Sequence, residues 1–275
     1  MSLHHVRRAA VAGSWYPGRP EVLAAEVDRY LSAASGRPPA ESVVGLVAPH
    51  AGLAYSGPVA AWAYRAVQGG SYDVAVIVGP SHRAGFNGVA VYPRGAFDTP
   101  LGEVPIAEDV AAAILAATPV ARADMAVHGA EHSLEMQLPF LRRVLPATPV
   151  VPIMMGYQLA ETILALGEAL AVALVGRRAL LIASSDLSHY LDARAAAAMD
   201  RQVVECVERF DADGLWRMLR AQPDHACGGG PIVSVMQAAR ALGACEGRVL
   251  RYGDSGDVSG DKSAVVGYMA AAFVS

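Results

Sequence analysis

Along the chain, short and nearly continuous apolar runs alternate with longer alanine-rich segments of helical period. VVGLVAP (43–49), YDVAVIVGP (72–80), TPVVPIMM (148–155) and ALLIASS (179–185) carry almost no polar interruption, the pattern of strands covered on both faces of a sheet. Between them the period predicts helices at EVLAAEVDRYL (21–31), PVAAWAYRAVQ (58–68), AEDVAAAILAA (107–117), LAETILALGEALAVAL (159–174) and ARAAAAMDRQVVECVERF (193–210). Pro58 reads as a first-turn residue, and Gly69-Gly70 marks the end of that helix. NGVAVYPRGAFDTPLGEVPI (87–106) alternates like a hairpin excursion. RVLRYGDS (248–255) and SAVVGYMAAAF (263–273) predict closing strands, the first antiparallel at an edge. The turn-rich GDSGDVSGD (253–261) links those two. This order is that of an α/β protein with a mostly parallel sheet flanked by helices. No repeat, low-complexity linker or charge run divides the chain, and SGRPPAES (35–42) reads as a loop, so residues 1–275 are expected to form a single domain.

Composition narrows the function classes. At 53% hydrophobic and 17% charged residues, 275 residues can bury a large core. A net charge of −4 and no basic block argue against a nucleic-acid partner. No apolar run is long enough for a membrane span, and the Arg7-Arg8 pair is not followed by an apolar signal region. Three scattered cysteines, Cys206, Cys227 and Cys245, make neither a disulfide framework nor a C-x-x-C pair, so a reducing, cytoplasmic location is expected.

The candidate chemistry collects where strands end. Three apolar runs lead into histidines: VVGLVAP into His50, VAVIVGPS into His82 and LLIASSDLS into His189. In open α/β sheets ligands bind outside the carboxyl ends of the strands, so these three are expected to face one crevice. Asp186, three residues before His189, either orients that imidazole or caps the helix that follows. Cys227, in DHACGGGPIVSVMQAA, precedes an apolar helix whose dipole would favour a reactive thiolate; the alternative is a small residue buried beside a tight turn. Cys206 and Cys245 read as structural. His128-Gly129-Ala130-Glu131-His132 fits the H-x-x-E-H signature of inverted zinc peptidases. SSDLSH (184–189) places serine, aspartate and histidine too close together for a triad, and no G-x-S-x-G elbow is present.

Taken together, AGSWYP (12–17), APHAGLAYSGPVAAWAY (48–64), VGPSHRAGFNGVAVYP (78–93), EHSLEMQLPFL (131–141), SSDLSHY (184–190) and CGGGPI (227–232) resemble the Memo family, known in bacteria and archaea as protein B of the AmmeMemoRadiSam system. The resemblance implies a mixed-sheet fold similar to class III extradiol dioxygenases. It implies metal ligands at His50, His82 and Cys227, with His189 as catalytic acid and base and Asp186 beside it. Cys227 takes the place of the dioxygenases' carboxylate ligand, and its softer thiolate suits Fe(II), copper or zinc. Trp15 and Tyr16 match an aromatic pair near the family's pocket, or else plug the core beneath it. His132 and Glu135, three apart at the head of a helix, are expected to line the pocket together.

These residues lead to the expectation of an oxygen-dependent, dioxygenase-like oxidoreductase of unknown small-molecule substrate. A second reading is a partner module that keeps the pocket without turnover and binds radical-SAM or AMMECR1-like proteins. A third is a zinc peptidase using His128 and His132.

Overall fold

The computed structural model describes residues 5–35 and 42–275; most of the loop expected at 35–42 lies outside them. The strands are β1 (Val6–Arg7), β2 (Val43–Ala48), β3 (Val74–Pro80), β4 (Val89–Val91), β5 (Ala96–Phe97), β6 (Val104–Pro105), β7 (Ala121–Ala123), β8 (Val150–Met155), β9 (Ala179–Ser184), β10 (His189–Leu191), β11 (Glu246–Asp254) and β12 (Val265–Val274). The helices are α1 (Pro20–Ala33), α2 (Leu53–Arg65), α3 (Glu108–Ala117), α4 (Leu138–Val144), α5 (Ala160–Ala173), α6 (Ala193–Glu208), α7 (Ala212–Ala221), α8 (Gly229–Ala241) and α9 (Gly256–Ser259).

The four apolar runs become β2, β9, β3 and β8, side by side in that order and all parallel. Every residue of β3, β8 and β9 is buried. Alternate residues of a strand point to opposite faces, so full burial requires cover on both. Two groups of helices provide it: α1, α2 and α4 pack together, with α2 on β2 and β12, while α8, flanked by α5 and α7, packs on β2, β9 and β3. Antiparallel β4 followed by β7 extends one edge, and antiparallel β12 the other, so the sheet is mixed.

β12 does more than close the sheet. Along one side it pairs with β11 over nearly its whole length. Its other side is divided between β2, at Ala271–Val274, and β10, at Val265 and Val266. β10 opens with His189, so this division draws the His189 loop back over the end of β2.

Three expectations need correction. α2 begins at Leu53, not at Pro58, and takes the proline into its interior. Pro58 forfeits a helical hydrogen bond, but the turn before it is held by burial of Leu53, Ser56 and Gly57. A Cβ on Gly57 would come within 2.8 Å of the Tyr30 ring of α1, a close approach that only glycine permits. The excursion at 87–106 divides: β4 joins the main sheet, while β5 and β6 form an antiparallel pair completed by β1. Finally, residues 131–134 are not the head of a helix; a 3-10 turn at Glu135–Gln137 leads into the short α4.

Candidate metal centre

The parallel strands end along one edge, and the residues just beyond them face each other. His50 follows β2 by two residues and His82 follows β3 by two. A third imidazole, His132, arrives from the turn before α4. Their ligand atoms lie within 4.8 Å of one another. Ring centroids are 5.2 Å apart for His50 and His82, 5.5 Å for His50 and His132, and 4.6 Å for His82 and His132.

The network behind two of these rings fixes their tautomers. Ser184 Oγ, at the end of β9, donates its single proton to the Ser133 carbonyl at 2.6 Å and accepts from Gln137 Nε2 at 2.7 Å. The His50 Nδ1 only 2.9 Å away must therefore carry the hydrogen, which leaves Nε2 unprotonated and able to accept. His82 Nδ1 lies 2.9 Å from Glu131 Oε1, and a carboxylate can only accept, so its Nε2 is unprotonated as well. Glu131 also takes the backbone N–H groups of His82 (2.6 Å), His132 (2.9 Å) and Ser133 (3.0 Å). Burial pushes this carboxyl up, but the His82 ring and the amides of Ser133 and His82 outweigh it and hold the group ionised, well below the usual range. The His132 ring lies tilted against the Trp15 ring, centroids 4.2 Å apart, and its Nδ1 is 3.1 Å from Glu131 Oε1 without the alignment of a hydrogen bond.

Cys227 meets the His50 ring from the start of α8, with Sγ 3.3 Å from the unprotonated His50 Nε2. It immediately precedes Gly228, the cap of α8. A Cβ on Gly228 would lie 2.5 Å from the Ser184 carbonyl, so only glycine lets this turn approach the end of β9. Sγ accepts from the Asp186 amide at 3.3 Å. The residue keeps part of its surface open, yet burial and the nearby Asp186 carboxylate push the thiol well up. The thiolate expected from the helix dipole is thus not the resting form: desolvation outweighs the dipole.

Burial holds His50 and His132 in the neutral form, His132 falling to about 4. Neighbouring imidazoles add to the effect at both, while Glu131 opposes it. Burial raises Asp186 to about 6 against the hydrogen bonds it accepts from the His50 amide (2.7 Å) and the Ala51 amide (3.3 Å). Asp186 therefore anchors the backbone of His50. It makes no hydrogen bond to His189 among the described residues, and Asp192, not Asp186, caps α6 through the amides of Arg194 and Ala195.

A cavity of about 630 Å³ opens over the imidazoles and is lined by Trp15, Tyr55, His189 and Tyr190 as well. Two pocket expectations fail. Glu135 is fully buried and turned away, accepting from Ala10 N (2.8 Å), Val11 N (3.0 Å) and Tyr16 OH (2.6 Å) and paired with Arg7. Tyr16 is likewise core, bound to that carboxylate. With no helix through residues 131–134, the two side chains three apart share no face. His128 also points away: it is 1% exposed, its Nε2 lies 3.2 Å from the Ala90 carbonyl, and Tyr92 and Phe97 surround it. The zinc-peptidase helix does not exist, because residues 126–128 form only a 3-10 turn. Glu131, Ser184 and Gln137 orient the imidazoles, a role that the local sequence does not mark except in the acid directly beside His132.

The Memo family model, described as Memo-like protein, matches residues 7–272. A MEMO1 family protein of Methanosarcina mazei is 40% identical over 268 residues, covering 96% of this chain and 98% of its own. One from Methanothermobacter thermautotrophicus is 38% identical over 272 residues with the same coverage. Among solved structures, uncharacterized protein JW3007 of Escherichia coli K12 superposes with a TM-score of 0.58 at 16% identity, over 82% of this chain and 99% of that one, a likeness of fold alone. With the family match spanning nearly the whole chain and the relatives agreeing end to end, this protein belongs to the Memo family.

Proposed function

We propose that the chain is a cytoplasmic, metal-dependent oxidoreductase using dioxygen on a small-molecule substrate, with Fe(II) or copper held by His50, His82 and Cys227. One observation carries the reading: both imidazoles line one cavity and have Nδ1 occupied by protein, which leaves an unprotonated Nε2 on each, the one on His50 facing Cys227 Sγ at 3.3 Å. Imidazoles oriented by a carboxylate or hydroxyl behind them are how proteins present nitrogen to a metal. Cys227 beside His50 adds a soft donor, which suits iron or copper and also fits zinc. When bound, such an ion supplies Lewis acidity and one-electron chemistry.

The chain's own residues do the rest. His189 lines the cavity and its side chain makes no hydrogen bond to protein among the described residues, so the ring is placed to take up and return a substrate proton. Neutral His132, backed by Trp15, offers a hydrogen bond to a bound ligand. Asp186 holds the His50 turn in place. The test is anaerobic purification, reconstitution with Fe(II) or copper, and oxygen-uptake measurements with catechol-like and other substrates. Metal-dependent uptake is expected, and it should disappear in His189→Ala. If no metal dependence is found with any substrate, the enzyme reading fails.

A second reading is favoured by the cavity mouth, where Tyr190 is 78% exposed with φ of 61° and Tyr55 is 45% exposed. A non-Gly residue in the left-handed region is strained, and such strain concentrates at binding sites. On this reading the chain is a non-catalytic module for radical-SAM or AMMECR1-like partners. A partner that binds wild type and His50→Ala equally well, with no oxygen uptake, would favour it.

A further inference from the structure

The cleft continues past the imidazoles. The cavity above them shares His82 and His189 with a second of about 510 Å³, which reaches Asp224 and Cys227. That one shares Pro223 and Cys227 with a third of about 760 Å³. The far chamber is walled by Trp216, Leu219 and Arg220 of α7 and by Tyr157 and Leu159 of the loop after β8. Tyr157 is 57% exposed and Leu159 50% exposed, so two large apolar side chains stand in water at one chamber. Arg220 is exposed and its side chain makes no hydrogen bond or ion pair among the described residues.

We infer that this far chamber binds the distal end of the molecule whose reactive end lies at the imidazoles, and that this molecule is an elongated anion. Its apolar body covers Trp216, Tyr157 and Leu159, and its carboxylate or phosphate meets Arg220. The guanidinium fork matches either group in two-point geometry. Covering the exposed apolar surface supplies hydrophobic affinity that a wholly polar ligand would not gain. Asp224 in the middle chamber repels negative charge there, which places the anionic group beyond it, at Arg220. Only the assignment of the reactive end rests on the metal-site reading above.

Calorimetric titration with 1-naphthaleneacetate and its neutral counterpart 1-naphthaleneethanol, on metal-free and Zn(II)-loaded protein, tests the inference. The acid should bind at least fivefold more tightly than the alcohol. Arg220→Gln should abolish that preference, Arg83→Gln, at the opposite end of the cleft, should keep it, and Trp216→Ala should weaken both probes. Equal affinity for acid and alcohol, or a preference that survives Arg220→Gln, would overturn the proposal. Because the probes are also titrated without metal, loss of Zn(II) binding with the acid preference intact would count against the metal reading and leave this one standing.

Discussion

Cys227 sits where two forces act on its thiol in opposite directions. The α8 dipole favours the thiolate, while burial and Asp186 favour the thiol and prevail. A metal would reverse the balance, since a coordinated thiol is deprotonated outright. His50 and His132 are held neutral and have no proton to give up. Zn(II) binding at pH 7.5, followed with a pH indicator in weak buffer, should therefore release about one proton per ion, and Cys227→Ser should release far less. Wild-type release near zero would put His132 in the place of the thiolate. His128 leads to a different prediction. Burial lowers it from 6.5 to about 4, so between those values the unfolded chain takes up a proton that the folded chain refuses. Stability is complete above about pH 6.5 and is lost as pH falls toward 4, by roughly 3 kcal/mol for this group. Urea midpoints at pH 7.5 and pH 5 should differ in that direction, and His128→Phe should narrow the gap; an unchanged gap would mean that other groups carry it.

At the scale of elements, the segment from Arg7 to Tyr16 is fastened to the body by one carboxylate. Glu135 receives Arg7, two successive backbone amides and the Tyr16 hydroxyl, all in the interior. Trp15, beside Tyr16, backs His132, so the fastening also shapes the site. Glu135→Ala would leave Arg7 buried without its carboxylate and is expected to destabilise the fold by about 3–5 kcal/mol. Hydrogen exchange at the Ala10 and Val11 amides should accelerate more than exchange in β3. Uniform acceleration would instead mean that the segment is not a separate unit. The sequence concealed this role. SLEMQLPF has helical spacing, but Glu135 falls in a 3-10 turn and the α-helix begins only at Leu138.

Over the whole molecule, the candidate site collects residues from the ends of β2, β3 and β9, the turn before α4, the start of β10 and the approach to α8. An ion that joins these segments binds only the folded chain. At a hundred times its dissociation constant it should add about 2.7 kcal/mol of stability. The melting temperature should rise on adding Zn(II) and fall back with chelator, whereas His50→Ala should show no shift; an equal shift in that variant would place the ion elsewhere. The sequence by itself determined the layers, because burial on both faces demands unbroken apolar runs and covered helices demand a 3.6-residue period, and both marks are local. It also determined that His50 and His82 lie at strand ends, since apolar runs stop where the sheet does. Only the tertiary structure decided that His132 is the third imidazole of the cluster while His189 stands at the rim, and that Glu135, Tyr16 and His128 face inward. Those outcomes depend on which distant backbone amides and carbonyls a side chain meets once the strands are ordered, and no window of neighbouring residues contains that information.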